Sequence, residues 1–181
     1  MITTMTNPIA AKSPPPTVAG AVVFTDIVSF TEFTAIEGDE AANALLTAQE
    51  DIVNAVLPPE ARLVKELGDG LMLWFPDAES ALRICLTLLR RFEDYSSSTL
   101  QPLWVRMGIH WGRQTRRRDD LIGHDVNLAS RIANQAGPSE LLLSEDTVRQ
   151  LDRPITDLEE IGLVVMKGIP DPIRLFRALP E

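Results

Sequence analysis

The chain has little of several residue types, and each scarcity limits what it can do. Cys85 is the only cysteine in 181 residues, so no disulfide can form within the chain. It lies within an apolar helical pattern, which favours a buried small hydrophobe over a nucleophile and fits a reducing compartment. The sequence contains neither a 20-residue apolar run nor a signal-peptide pattern. We therefore expect a cytoplasmic protein, or a cytoplasmic domain of a larger one, that makes no membrane contact itself.

Basic residues are also scarce. Seventeen Lys and Arg face 26 Asp and Glu, giving a formal charge of −9 and a pI near 4.7. Such a balance provides no general attraction to phosphate backbones, so nucleic acid is not an expected partner. The local exception is Arg116–Arg118, a run short enough to be a solvated turn or strand tip.

Apolar residues, by contrast, are abundant enough for a core. They make up 45% of the chain against 24% charged residues, which suits one globular domain. Residues 1–17 have no apolar periodicity and contain three consecutive prolines, so they predict a disordered tail or linker. The domain is expected over residues 18–181.

Within that domain the apolar period alternates between two and about 3.6 residues. Strands are predicted at Ala19–Phe24, Arg62–Leu67, Leu71–Phe75, Leu103–Ile109, Glu140–Leu143, Leu163–Met166 and Ile173–Phe176. Helices are predicted at Asp39–Val56, Asp77–Tyr95, Gly123–Ala136 and Glu145–Leu151, the last capped by Ser144. A polar arm is expected over Arg113–Asp120. Without strict βα repetition, the order indicates an α+β fold with a ferredoxin-like split βαβ core, a mainly antiparallel sheet and packed helices.

Two aspartates occupy strand ends or turns in this pattern. Asp26 follows the first strand, and Asp69 forms the tip of a Gly-Asp-Gly turn. Neighbouring strands would bring the carboxylates together, where at about 4 Å and an effective dielectric near 20 they would repel by roughly 4 kcal/mol. Their pairing therefore points to a shared hard cation, Mg²⁺ or Mn²⁺. Taken singly, each aspartate is better explained as a turn residue or helix cap.

Two further segments could contact an anion. Ile27–Phe30 would present successive backbone N–H groups at a strand-to-helix junction, although apolar residues there are also ordinary core. Asn127 and Arg131 are four residues apart, which places both on one helix face, suited to a sugar oxygen and a phosphate or simply to solvent. His110 is interpreted as a strand residue and His124 as a surface residue at a helix start.

Together these segments resemble a family, the class III adenylyl and guanylyl cyclases, in the family's motif order. The resemblance covers about residues 18–178. Its five motifs are Phe24–Thr31, Lys65–Gly70, Gly108–Arg113, Asp120–Arg131 and Met166–Pro170.

The resemblance implies a role for each matched position. Asp26 and Asp69 match the two metal-binding aspartates, with Ile27 also at the metal site, and Lys65 and Asp120 match the pair that reads the adenine edge.

Asn127 matches the residue that orients the ribose, and Arg131 matches the arginine that stabilises the transition state. Arg113 and Lys167 match cations that contact the triphosphate, with backbone contacts over Ile27, Val28, Ser29, Phe30 and Thr31.

The implied activity is conversion of ATP to cyclic AMP and pyrophosphate, with two Mg²⁺ or Mn²⁺ ions per site. The implied assembly is a homodimer in which the metal aspartates and Arg113 come from one chain and the other residues from its partner. A guanylate cyclase is disfavoured because a Lys donor and an Asp acceptor, Lys65 and Asp120, suit adenine. The remaining alternatives are a silent nucleotide-binding or dimerisation module, and an RNA-binding ferredoxin-like domain, which the acidic balance disfavours.

Overall fold

The computed structural model describes residues 15–99, 101–153 and 155–179. Over these residues the strands are β1 Thr17–Ile27, β2 Arg62–Leu67, β3 Gly70–Phe75, β4 Val105–Arg117, β5 Asp120–Ile122, β6 Leu141–Ser144, β7 Asp157–Val164 and β8 Ile173–Leu179. The helices are α1 Phe30–Glu37, α2 Asp39–Val56, α3 Ala78–Thr99, α4 His124–Ala133 and α5 Glu145–Val148. Most of the predicted tail, residues 1–14, lies outside the described residues. Its last residue, Thr17, begins β1.

The strands form one sheet in the order β2-β3-β1-β4-β6-β8-β7, and β5 pairs with β4 outside this path. Every pairing is antiparallel except β4 with β6. The predicted α+β class with a mainly antiparallel sheet is therefore confirmed. No helix within the described ranges is long and apolar enough to cross a membrane.

The central strand β1 is covered on both faces, which explains its continuous apolar run. Ala21 and Val23 belong to the main core with residues of α2 and α3, whereas Val22 faces a smaller cluster with Met72 and Leu121. Alternate side chains of a strand point to opposite faces, so β1 lies between two layers. The lone thiol, Cys85, is fully buried in the main core, and burial raises its pKa.

Several predicted bounds match the structure. Helix α2 begins at Asp39 and ends at Val56, and Ser144 caps α5 by accepting the Thr147 N–H. The predicted arm is different: β4 continues to Arg117 and returns through β5, forming a hairpin whose tip residue Arg118 has φ 58°. Its side chains are too polar to show a strand pattern.

The edge strand β7 also begins six residues before the predicted start, at Asp157 instead of Leu163. Its early part was missed because it alternates exposed acidic residues with single apolar ones, as is common at a sheet edge.

Candidate active site

The two predicted metal aspartates meet at one end of the sheet. Asp26 is the penultimate residue of β1 and pairs with Gly70 of β3, which follows Asp69 directly. The Ile27 N–H donates to the Asp69 carbonyl over 3.2 Å. The backbone pairing thus holds the tip of the β2–β3 turn against the end of β1.

Two buried polar residues, Thr25 and Gln49, hold the β2–β3 turn in place. The Thr25 hydroxyl donates to the Gln49 side chain over 3.0 Å, and Gln49 donates to the Asp69 carbonyl over 3.2 Å. Sequence reasoning missed Gln49, which is 1% exposed. The sequence did contain an indication of its burial: Gln49 is four positions from both Leu45 and Val53, within the apolar stripe of α2.

Negative charge accumulates where the two carboxylates lie close together. The pKa of Asp69 is raised above its ordinary value, first by burial and then by the neighbouring Asp26. Arg106 on β4 offsets part of this charge, since its guanidinium lies 2.6 Å from the Asp26 Oδ2. Sequence reasoning missed Arg106 as well, although a basic residue within an apolar strand was visible. The position of Arg106 beside Asp26 depends on the β1–β4 register, which pairs the two residues.

The carboxylates of Asp26 and Asp69 suit a Mg²⁺ or Mn²⁺ ion that also binds the phosphates of a nucleotide. Within the described ranges no group of three or more His, Cys, Asp or Glu side chains is placed to hold a metal. Asp26 and Asp69 would therefore provide two carboxylates, and phosphates and water the remaining ligands, as is usual for Mg²⁺ in nucleotide enzymes. Beside Asp26 a cleft of about 240 Å³ opens towards Ser130 of α4 and Asn134, the residue that follows the helix.

The predicted backbone phosphate site is smaller than expected. The Ile27 N–H is bonded to the Asp69 carbonyl, and the Val28 N–H donates to the Trp104 carbonyl over 2.8 Å. These two predicted donors are therefore already used. The N–H groups of Phe30 and Thr31 lie in the first turn of α1, where a helix cannot satisfy its own donors.

Lys65 and Asp120, predicted to read the base, are brought together although 55 residues separate them. The Lys65 Nζ lies 2.8 Å from the Asp120 Oδ2, with 34% and 37% of the side chains exposed. The β4–β5 hairpin places Asp120 against β2. The hydrogen bond from Lys65 is the main cause that lowers the pKa of Asp120. A hydrogen-bond donor and an acceptor therefore lie side by side, and both side chains are accessible.

Asn127 and Arg131 lie on the exposed side of α4, as their spacing predicts. The buried side of the same helix carries Val126, Leu128 and Ile132. Since neither polar side chain is needed for packing, both are presented outward from the chain.

The other two predicted cations lie elsewhere. Arg113 pairs with Ala19, seven residues along β4 from Arg106, which corresponds to about 24 Å at ~3.4 Å per residue. The structure therefore does not bring Arg113 to Asp26 within one chain. Lys167 is exposed in the turn between β7 and β8.

The histidines agree with their predicted places. His110 is a buried residue of β4, 2% exposed, and His124 is exposed at the start of α4. His110 is hydrogen-bonded at Nδ1 to Ser144 over 2.7 Å and lies outside the cleft beside Asp26.

Comparison with known proteins identifies this arrangement. The model of the adenylate and guanylate cyclase catalytic domain matches residues 14–177. The chain therefore belongs to that family.

Curated relatives include two adenylate cyclases. That of Podospora anserina is 30% identical over 175 residues, which is 83% of this chain and 8% of the relative. That of Streptomyces griseus is 34% identical over 133 residues, covering 73% of this chain and 32% of the relative. The chain thus spans a minor part of the length of these relatives.

The fold is shared with solved cyclase structures. An adenylyl cyclase from P. aeruginosa superposes with a TM-score of 0.84 at 23% identity, covering 93% of this chain and 97% of the other.

Proposed function

We propose that the chain is an adenylate cyclase catalytic domain that converts ATP to 3′,5′-cyclic AMP and pyrophosphate in a homodimer with two shared sites. The observation that carries the proposal is the Lys65–Asp120 pair, 2.8 Å apart and accessible. Adenine presents an acceptor at N1 beside a donor at its 6-amino group, which Lys65 and Asp120 complement. Guanine presents the opposite pattern at these positions, so ATP is the proposed substrate.

The reaction is in-line attack of the ribose 3′-oxygen on the α-phosphorus with departure of pyrophosphate. Asp26 and Asp69, with the backbone of Ile27, would hold two Mg²⁺ or Mn²⁺ ions. Bound divalent ions would lower the pKa of the 3′-hydroxyl and offset the charge of the phosphates.

The chain's own groups supply position and positive charge. Asn127 orients the ribose, and the fixed guanidinium fork of Arg131 stabilises the charge that develops on the phosphate. On the side of the aspartates, Arg106 is placed to contact the triphosphate, together with the N–H groups of Ser29 to Thr31. Lys167 contributes further charge from the turn between β7 and β8, whereas Arg113 lies too far along β4 from Asp26 to do so in the same chain.

The positions of these groups support a shared site. Asp26 lies at the end of the internal strand β1 and Asp69 in the adjoining β2–β3 turn, whereas Asn127 and Arg131 project outward from α4. An isologous dimer places the outward face of α4 from one chain against the acidic end of its partner, twice. In this arrangement each site takes its metal aspartates from one chain and Lys65, Asp120, Asn127 and Arg131 from the other.

The testing experiment incubates the purified chain with Mn²⁺ and either ATP or GTP and measures both cyclic nucleotides. Cyclic AMP from ATP, well above cyclic GTP from GTP, is the expected result. Dominant cyclic GTP formation would make the chain a guanylate cyclase. No product from either, with the nucleotide bound, would make it a silent nucleotide-binding module.

A further inference from the structure

A chain of polar contacts connects α4 to the middle of the sheet. His110 lies between Ser144, 2.7 Å from its Nδ1, and Asp125, whose Oδ1 is 3.4 Å from its Nε2. The other Asp125 oxygen accepts the Arg113 N–H over 2.6 Å. Asp125 stands in the first turn of α4, two residues before Asn127.

The Asp125 carboxylate, 3.4 Å from Nε2, decides which nitrogen of His110 carries the proton. The Thr147 hydroxyl donates to the Ile109 carbonyl, and the Thr147 N–H donates to the Ser144 hydroxyl oxygen. Ser144 can either donate to His110 Nδ1 or accept from it, because its hydroxyl also lies 2.9 Å from that of Thr147. The tautomer with the proton on Nε2, facing the Asp125 carboxylate, is the favoured one. The opposite tautomer would set an imidazole lone pair against the carboxylate. Burial also lowers the pKa of His110, which favours the neutral ring.

Two glycines of β4 let α4 approach closely at each end. A Cβ on Gly108 would lie 2.3 Å from the Ala133 backbone nitrogen, so at this end α4 rests on the strand itself. A Cβ on Gly112 would lie 2.1 Å from the Asp125 Oδ2. The N-terminal end of α4 is therefore located by the Asp125 carboxylate lying over Gly112.

We infer that His110 is a positioning residue: held between Ser144 and Asp125, with its Nε2–H facing the carboxylate, it fixes Asp125 and hence the placement of Asn127 and Arg131. The inference rests on the proposed cyclase activity. His110 itself is buried and does not line the cleft beside Asp26. It acts through α4, so its loss should lower kcat much more than it changes KM.

Two substitutions separate the contacts of His110. The amide of Gln in His110→Gln reaches the place of Nε2 and can donate to Asp125, whereas the shorter amide of His110→Asn reaches only the place of Nδ1 beside Ser144. Both introduce a polar amide into the same buried site, so both should lower the melting temperature to a similar extent.

The experiment measures kcat and KM of the full chain with ATP and Mn²⁺. His110→Asn should lose about 10- to 100-fold in kcat, as expected for a small misplacement of catalytic groups, with KM nearly unchanged. His110→Gln should retain most of the wild-type kcat. Equal kcat in the two variants would overturn the inference, as would a loss that follows the melting temperature alone.

A second pair of variants avoids the buried site. Asp125→Ala should lower kcat by a factor similar to that of His110→Asn, and the double variant should fall no further than either single one. Asp146→Ala is the matched control, because it removes another carboxylate near His110 that is paired with Arg149. Its kcat should be unchanged.

The remaining outcomes are distinguishable. Additive losses in the double variant would show that His110 and Asp125 act independently and would overturn the inference alone. A wild-type chain that forms no cyclic AMP would remove the proposed function, and the inference with it.

Discussion

Two regions of the molecule differ in how their charges are balanced: the acidic end of β1, formed by Asp26 and Asp69, and the anchor of α4, formed by Asp125, His110 and Ser144. At the acidic end, Asp26 and Asp69 lie together with one guanidinium, that of Arg106, and the pKa of Asp69 is raised. Beneath α4, the polar groups contact one another, from Ser144 through His110 to Asp125. Within the described ranges no buried side-chain nitrogen or oxygen lacks a hydrogen-bond partner.

This difference shows which region needs a ligand. An excess of negative charge is stabilised by an added cation, so the acidic end is incomplete on its own. The buried polar groups beneath α4 need no added ligand, and the helix presents Asn127 and Arg131 outward. The chain therefore combines an acidic end that lacks full counter-charge with an outward-facing polar face on α4, and the proposed dimer would bring the two together.

The most direct way to break the contrast is to remove charge from the acidic end. Asp26→Asn or Asp69→Asn should abolish measurable turnover, because each removes a ligand from a two-carboxylate site. Each should leave the dimer folded, since the like-charge contact is relieved. Steady-state assays with Mg²⁺ and with Mn²⁺, alongside circular dichroism, check both parts. A near-normal kcat in either variant would refute the metal assignment.

The next largest effect is expected where the base is read. Lys65→Glu with Asp120→Cys reverses the donor and acceptor pattern, so kcat/KM for ATP should fall by about 10⁴-fold. Any gain with GTP should be much smaller, because a guanine site also needs matching surroundings. Competition assays with both nucleotides measure the ratio, and an unchanged preference for ATP would show that this pair does not read the base.

The anchor of α4 can be strained without touching a charged residue. Gly112→Ala forces the Asp125 carboxylate to move, at a cost of about 1–3 kcal/mol for overpacking. Gly137→Ala is the control, since its added Cβ would make an ordinary 3.6 Å contact with Glu140. Urea unfolding should show a lower free energy for the first variant only. Equal values would mean that the approach over Gly112 is loose.

The smallest predicted effect is the pH dependence of the anchor. Burial lowers the pKa of His110, although Asp125 and Asp146 oppose this and His124 adds to it slightly. The unfolded chain therefore binds more protons, and the free energy of unfolding should fall as the pH drops below about 6.5. His110→Asn should show a weaker dependence between pH 5 and 7.5. An identical slope in wild type and variant would assign the dependence to other groups.

The sequence predicted best where one element determines the pattern by itself. The bounds of α2 followed from apolar spacing and a terminal proline pair, and the β2–β3 turn followed from two glycines around Asp69. The pairing of Lys65 with Asp120 was expected only through family resemblance, because a distance of 55 residues leaves no local pattern.

Contacts that depend on strand register were not predictable in the same way. Arg106 acquires its place only because β4 runs antiparallel to β1 in one register, which puts it opposite Asp26. The same register separates Arg113 from the acidic end. His110 could be assigned to a strand, but its link to Ser144 crosses from β4 to β6, a parallel pairing that the sequence does not reveal.

The central claim is that Asp26 and Arg131 act on one substrate from different chains. Asp26→Ala and Arg131→Ala homodimers should each be nearly inactive, the second by roughly 10²- to 10³-fold. In a mixed dimer one site carries both lesions, and the other is wild type in composition. With equal, freely exchanging chains, about half the dimers are mixed, so activity should recover to about one quarter of wild type.

The decisive measurement is therefore cyclic AMP synthesis after mixing the two inactive variants, with subunit exchange followed independently by differently tagged chains. Recovery towards one quarter of the wild-type rate is the predicted result. Confirmed exchange without any recovery would contradict the shared site and place the whole reaction within a single chain.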